Sequence, residues 1–341
     1  MALDNMNALV CVEPNRFEYR MMPIPKPQAD QVLVKILQVG ICGTDYHAFK
    51  GNQPFFDYPR ILGHEVAVQI VDGGDGAFVK GELATFMPYL ACGICIACRT
   101  GRNNCCAAMQ VAGVHIDGAL RNYMVVPSHL LIKAGSLTVD QLVLVEPLAI
   151  GAHGVRRADV KNGEYVLVMG AGPIGLATMQ FAIIAGAEVI ALDVNDDRLD
   201  FCRRYLGVNH VINPKRENVK ENLMRITGGD MPTVVLDATG NKLAIHEGFD
   251  YLAHGARYVL IGLQKEMLSF SHPEFHRREA TLMSSRNATK EDFTHVTSCL
   301  SNGLINSKSY ISHRIAFEDL AGRFESLSRS DSQVIKAVVE F

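Results

Sequence analysis

Tryptophan is absent from these 341 residues, an absence without functional meaning. Three other absences exclude more. There is no basic surplus: 33 Lys and Arg stand against 36 Asp and Glu, a formal net charge of −3. Nucleic acid and anionic membrane surfaces both attract clustered cations, so neither is expected as a partner. The first ten residues hold no basic segment followed by an apolar run, so no secretory signal is expected and a cytoplasmic location is. The nine cysteines (11, 42, 92, 95, 98, 105, 106, 202 and 299) are an odd number, which argues against a disulfide framework. Repeats and low-complexity segments are also lacking. Tyr165 to Ala187 carries no charge over a length that suits a membrane span. Gly170, Gly172, Pro173 and Gly175 interrupt it early, so a strand, a turn and a buried helix explain it better.

What is present is an ordinary globular composition, 48% hydrophobic and 20% charged. The length exceeds what one core usually supports, so two domains are expected. The first half reads as β-rich: Gln31–Leu37 partly alternates and Val66–Val71 is a β-branched run. From Glu164 the texture changes to strand, glycine turn and helix, the signature of βαβ units and an α/β fold with a parallel sheet. Candidate strands are Tyr165–Met169, Glu188–Leu192, His210–Ile212, Thr233–Leu236, Arg257–Ile261 and Thr281–Ser284. Six such strands suit a doubly wound dinucleotide-binding domain. After Arg286 comes a polar helical stretch, then strand candidates Ser312–Ala316 and Ile335–Phe341, a tail able to rejoin the first half.

Gly170-Ala-Gly172-Pro173-Ile174-Gly175 follows an apolar strand and opens an apolar helix. In a dinucleotide turn the first glycine permits the bend, the second lets the backbone approach a pyrophosphate, and the third lets helix and strand pack closely. The helix N-terminus supplies free N–H donors to the phosphates. Asp193, 18 residues beyond Gly175, stands where a ribose-binding carboxylate belongs. Its charge would repel a 2′-phosphate, which favours NAD over NADP. Arg198 is the counter-indication, since a nearby arginine can accept that phosphate.

Five of the nine cysteines fall between residues 92 and 106. Cys92, Cys95, Cys98 and Cys106 can close around one tetrahedral zinc, and four sulfurs leave no open position, so that site would be structural. Cys105 is an alternative fourth ligand, and an iron–sulfur cluster the alternative occupant, although ferredoxin runs place the fourth cysteine closer and follow it with proline. Cys42, His64, Glu65 and Glu146 are individually weak signals. Together they offer the mixed thiolate, imidazole and carboxylate set of a zinc that keeps a position for water or substrate.

Gly40-Ile-Cys-Gly-Thr-Asp-Tyr-His47, Gly63-His-Glu65, the cysteine lobe, Glu146-Pro147 and the glycine turn occur in one order along most of the chain. In these motifs the sequence resembles the zinc-containing medium-chain alcohol and polyol dehydrogenases. The resemblance implies a GroES-like catalytic domain over 1–149, a Rossmann domain over 150–288 and a segment 289–341 returning to the first. It implies that Cys42, His64 and Glu65 hold a catalytic zinc, with Glu146 beside it as an exchanging ligand or an outer carboxylate. Asp45 would orient the His64 imidazole. Thr44 would hydrogen-bond the substrate hydroxyl and His47 would pass its proton outward. A zinc polarises the alcohol and NAD accepts the hydride. A homodimer or homotetramer is likewise implied.

Glu65 after His64 makes the site resemble polyol and threonine dehydrogenases. Gly51–Phe56 with Tyr58-Pro-Arg60, Gly113–Gly118, and His272–His276 running to Ser285–Thr289 resemble the bacterial L-galactonate (hexonate) 5-dehydrogenases more closely. A hexonate needs hydroxyl partners and a cation for its carboxylate. Arg286, His115 and Asn52 are the candidates, each equally readable as a structural or surface residue. Two rival classes are a non-catalytic metal-braced sensor on the same fold and a zinc-ribbon nucleic-acid module. The first would require loss of a catalytic group, and none is missing; the second lacks basic charge.

Overall fold

A computed structural model describes residues 4–53, 56–74, 76–329 and 333–341. Pro54 and Phe55, inside the Gly51–Phe56 stretch, lie outside the described residues. The chain divides into two compact units. One takes the chain up to Glu146 together with Thr297–Gly303 and Ser307–Phe341, and the other takes Pro147–Val296 with Leu304–Asn306.

The first unit is built on a mixed sheet that runs Leu131–Lys133, Leu83–Phe86, Glu65–Asp72, Gln31–Ile41, Lys336–Glu340 and Ile311–Ala316 from edge to edge. Tyr123–Pro127 also pairs with Gln31–Ile41, along its first five residues. Gln31–Ile41 is the longest strand because alternate residues Val32, Val34 and Ile36 are fully buried, and Val39 and Ile41 continue that face. The expected tail does return: Ile311–Ala316 and Lys336–Glu340 close this sheet, the latter antiparallel to Gln38–Ile41. Val66, Val68, Leu62, Leu120 and Phe324 belong to the same core.

The second unit is a six-stranded sheet in which every pairing is parallel. Its order is His210–Ile212, Glu188–Leu192, Tyr165–Met169, Val234–Asp237, Arg257–Leu260, Thr281–Ser284. The order reverses between the Tyr165 and Val234 strands, the switch point at which open α/β sheets bind ligands. Four strand bounds fall as read from sequence; Thr233–Leu236 is displaced by one residue and Arg257–Ile261 ends one residue early. Such single-residue slips are the ordinary fraying of element ends.

The loop Gly113–Gly118, singled out in the sequence, is a buttress. Gly118 and Leu120 donate backbone hydrogen bonds to Ile61 and Leu62, and Ala119 donates to Gly63. A Cβ on Gly118 would stand 2.3 Å from the Gly63 carbonyl oxygen, so only glycine fits beside the backbone that carries His64. Gly118→Ala should therefore destabilise the first unit by about 1–3 kcal/mol, the usual range for overpacking. Urea unfolding checks this, and an unchanged midpoint would show that the contact is not tight.

Candidate metal centre and cofactor turn

Cys42 follows the long strand and occupies the N-cap of the helix Gly43–Phe49. Asp45, fully buried on that helix, accepts from the Cys42 backbone N–H at 2.8 Å and the Gly63 N–H at 3.2 Å. One carboxylate thus ties together the two segments that carry the thiol and the imidazole. As a result Cys42, His64 and Glu65 present a sulfur, a ring nitrogen and a carboxylate oxygen all within 4.8 Å of one another. That donor set fits zinc with room for a further ligand. Glu146 lies outside this cluster of three.

No hydrogen bond runs from the His64 ring to Asp45, as orientation of the imidazole by that carboxylate would require. Asp45 Oδ1 is 3.8 Å from His64 Nδ1, and that buried nitrogen has no hydrogen-bond partner. The backbone N–H groups have claimed the carboxylate, so Asp45 positions His64 through the main chain rather than through the ring.

Burial disfavours charge on His64, yet Asp45, Cys42 and Glu146 offset it and hold the imidazole pKa well above its ordinary value. Surroundings that favour a proton there equally favour a cation. Burial raises the pKa values of Asp45 and Glu146, which their neighbours only partly oppose. Two residues that sequence reasoning missed complete the pocket. Tyr89, buried beside the cysteine lobe, donates its hydroxyl to Glu146 Oε1. Lys336, 2% exposed, donates to both oxygens of Glu65 at 2.7 and 2.6 Å. Burial works against the Lys336 ammonium, but Glu65 and Cys42 more than offset it and raise its pKa. Neither residue sits in a motif; a lysine inside the otherwise apolar run Ile335–Val339 was the one available signal, because buried lysine needs a partner.

On the helix Gly43–Phe49, Thr44 is half-buried and His47 exposed. Asn52 is exposed, and His115 Nδ1 accepts from the Val111 N–H at 3.1 Å.

The sulfurs of Cys92, Cys95, Cys98 and Cys106 form a second cluster, which Cys106 joins and Cys105 does not. The Cys92 N–H donates to Cys106 Sγ at 3.2 Å. Backbone N–H groups of Ala107 and Cys98 lower the Cys95 pKa to about 6, those of Ile94 and Cys95 lower that of Cys92, and burial lifts that of Cys98 to about 12. N–H groups aimed at sulfur favour the thiolate, the form that ligates metal. The short helix Ile96–Arg99 buries no residue, and Ile94 and Ile96 are exposed, so the lobe has no apolar core of its own.

In the second unit Gly170 has φ +94°, and a Cβ on Gly175 would fall 1.8 Å from the Gly170 carbonyl oxygen. Around Gly172 the space is open: a Cβ there would meet only Arg198 Nη1, at 4.0 Å. The helix Pro173–Ile184 begins at Gly172 without a side-chain cap, so its first N–H groups face that space undonated to any capping oxygen. The turn therefore has the strained bend, the open cradle and the tight packing contact that the three glycines call for. Asp193, buried at the end of its strand, accepts from the Ala171 N–H at 2.6 Å and the Asn195 N–H at 2.8 Å. It braces the turn, and its two oxygens still have lone pairs for a ribose hydroxyl. Arg286 is exposed after the last strand.

A β-rich unit with an open mixed-ligand cluster and a parallel unit with a dinucleotide turn together define an oxidoreductase of the medium-chain dehydrogenase fold. Residues 28–136 match the alcohol dehydrogenase GroES-like domain, and 173–302 the zinc-binding dehydrogenase family. The chain is 40% identical to the L-galactonate-5-dehydrogenase of Escherichia coli K12 over 99% of its length and 100% of the relative's. It is 37% identical to an L-threonine 3-dehydrogenase of Caldanaerobacter subterraneus over 70% of its length and 71% of the relative's. The solved alcohol dehydrogenase rspB of Escherichia coli CFT073, in complex with NADH, superposes with TM-score 0.93 at 30% identity, covering 99% of this chain and 100% of that one. This chain belongs to the zinc-type alcohol dehydrogenase family. Among the described residues no helix is long and apolar enough to cross a membrane.

Elemental analysis should find about two zincs per chain, one for each ligand cluster. Cys95→Ser should lose one of them and lower the thermal midpoint, because metal binding substitutes for an absent core. A variant that keeps both zincs, or loses one without any loss of stability, would contradict a bracing role for the lobe.

Proposed function

We propose that this enzyme oxidises a secondary hydroxyl of a polyhydroxylated acid, an L-galactonate-type hexonate, to the keto acid, with NAD as hydride acceptor. The observation that carries this reading is the 40% identity to an L-galactonate-5-dehydrogenase over the full chain, joined to the Cys42–His64–Glu65 cluster. A zinc held there supplies Lewis acidity that brings the hydroxyl pKa toward neutrality.

The chain's own groups do the rest. Thr44 and His47 are three residues apart on one helix, hence neighbours on its surface, the first half-buried and the second exposed. Thr44 accepts the substrate proton as it donates its own, and the exposed His47 delivers it to solvent. Glu146, held by Tyr89, acts as an outer carboxylate beside the metal and not as a permanent ligand. Gly170, Gly172, Pro173, Ile174 and Gly175 cradle the pyrophosphate, Asp193 takes the adenosine ribose, and Arg198 lies at the rim of the cradle. Arg286 is the cation for the substrate carboxylate, with Asn52 and His115 as hydroxyl partners. Cys92, Cys95, Cys98 and Cys106 hold a structural zinc. We read the enzyme as a cytoplasmic homodimer or homotetramer.

A panel of hexonates, alditols, L-threonine and simple alcohols with NAD or NADP, followed by absorbance of the reduced cofactor, tests the substrate. A hexonate with NAD should give the highest kcat/KM; an alditol or L-threonine ahead of every hexonate would overturn the assignment. Cys42→Ser should abolish NAD reduction in a folded protein. Asp193→Asn keeps an oxygen for the Ala171 N–H and removes the charge. It should lower the preference for NAD over NADP, and an unchanged ratio would remove Asp193 from cofactor selection.

A further inference from the structure

The Glu65 carboxylate crosses a strand to reach its partner. Glu65 opens the strand Glu65–Asp72 and stands opposite Gly40 of the central strand Gln31–Ile41. Lys336 opens the strand Lys336–Glu340, which pairs with the other edge of that central strand, Ala337 opposite Ile41 and Val338 opposite Gly40. The two side chains meet over the intervening backbone. They can do so because Gly40 has no side chain: a Cβ there would lie 2.2 Å from Glu65 Oε2 and 3.0 Å from Glu65 Cβ. The ammonium then spends all three protons locally, two on the carboxylate oxygens and one on the Ile41 carbonyl oxygen at 3.3 Å. Ile41 precedes Cys42 and Glu65 follows His64, so one cation touches both segments that bear the ligands.

Taking an ammonium and a carboxylate out of water is costly, and an apolar pair of similar volume would commonly stabilise a sheet at least as well. The placement serves the site. Glu65 brings a buried carboxylate into the cluster with Cys42 and His64, and Asp45 and Glu146 are buried nearby. We propose that Lys336 is a positioning residue of the metal centre. It holds the Glu65 carboxylate by both oxygens where one of them stands within reach of the Cys42 and His64 donors, and Gly40 is the gap through which this happens. The inference rests on Cys42, His64 and Glu65 being the catalytic zinc site.

Holoenzyme is challenged with a chromogenic chelator, and the release of each zinc is followed, the cysteine-lobe zinc serving as an internal control. Lys336→Met should weaken retention of the catalytic zinc by about 10–100-fold, the range for losing an outer-shell partner, with the lobe zinc unaffected. Cobalt at the catalytic site of this variant should show an altered visible spectrum. Lys336→Arg, which keeps the charge and can hold a carboxylate, should recover most of the retention. Gly40→Ala should weaken the same zinc with Lys336 intact, because the flexible carboxylate yields to the new methyl group; it carries the test if Lys336→Met does not fold. A catalytic zinc held as firmly in Lys336→Met and Gly40→Ala as in the parent, or a fall shared equally with the lobe zinc, would reduce the pair to a structural ion pair and overturn the proposal. If the parent itself held no zinc outside the lobe, the site assignment would fail, a result distinct from either.

Discussion

Several ionisable groups sit in a pocket from which water is largely excluded, and the first unit is arranged around keeping them there. Asp45 and Glu65 are fully buried, and His64 and Glu146 nearly so. An unpaired buried charge costs more than a domain's whole margin of stability can spare. Each of the three carboxylates therefore has a specific relief: backbone N–H donors for Asp45, an ammonium for Glu65, a phenol for Glu146. A divalent cation among Cys42, His64 and Glu65 would complete the balance. The C-terminal strand adds to this sheet and brings Lys336, which helps explain why the polypeptide returns to its first unit after building the second.

The second unit works under a different constraint, close approach of backbone. Gly170, Gly172 and Gly175 make a turn where phosphates can meet N–H groups directly, and the buried Asp193 fastens that turn to the end of the next strand. Its carboxylate braces the turn, and a charge-removing substitution that retains an oxygen separates that task from the proposed one in cofactor choice. Metal and dinucleotide sites are thus each prepared by the order of strands in their own sheet.

Much of this was legible in the sequence because the chemistry needs particular residue types at short spacings. The glycine turn announced itself through strand, turn, helix and distal acid. The cysteine lobe did so through CxxCxxC, and the strands of the parallel sheet through apolar runs bounded by glycine. The partners of the pocket were not legible. Lys336 is 271 residues from Glu65, and Tyr89 is 57 from Glu146, so only the folded sheet shows that they meet. Asp45 was expected on the His64 ring and instead braces the main chain, since two backbone donors compete better for its oxygens than an imidazole 3.8 Å away. Gly113–Gly118, which resembled a substrate-class signature, packs against Gly63, the residue before His64.

The proposed reaction uses an open zinc in the first unit. Stepwise reloading of metal-depleted enzyme with zinc, with hexonate-dependent NAD reduction measured at each addition, tests it most directly. Activity should be absent while the cysteine lobe fills and should rise in proportion to the second equivalent, reaching its limit near about two zincs per chain. Full activity with the lobe alone loaded would contradict the account.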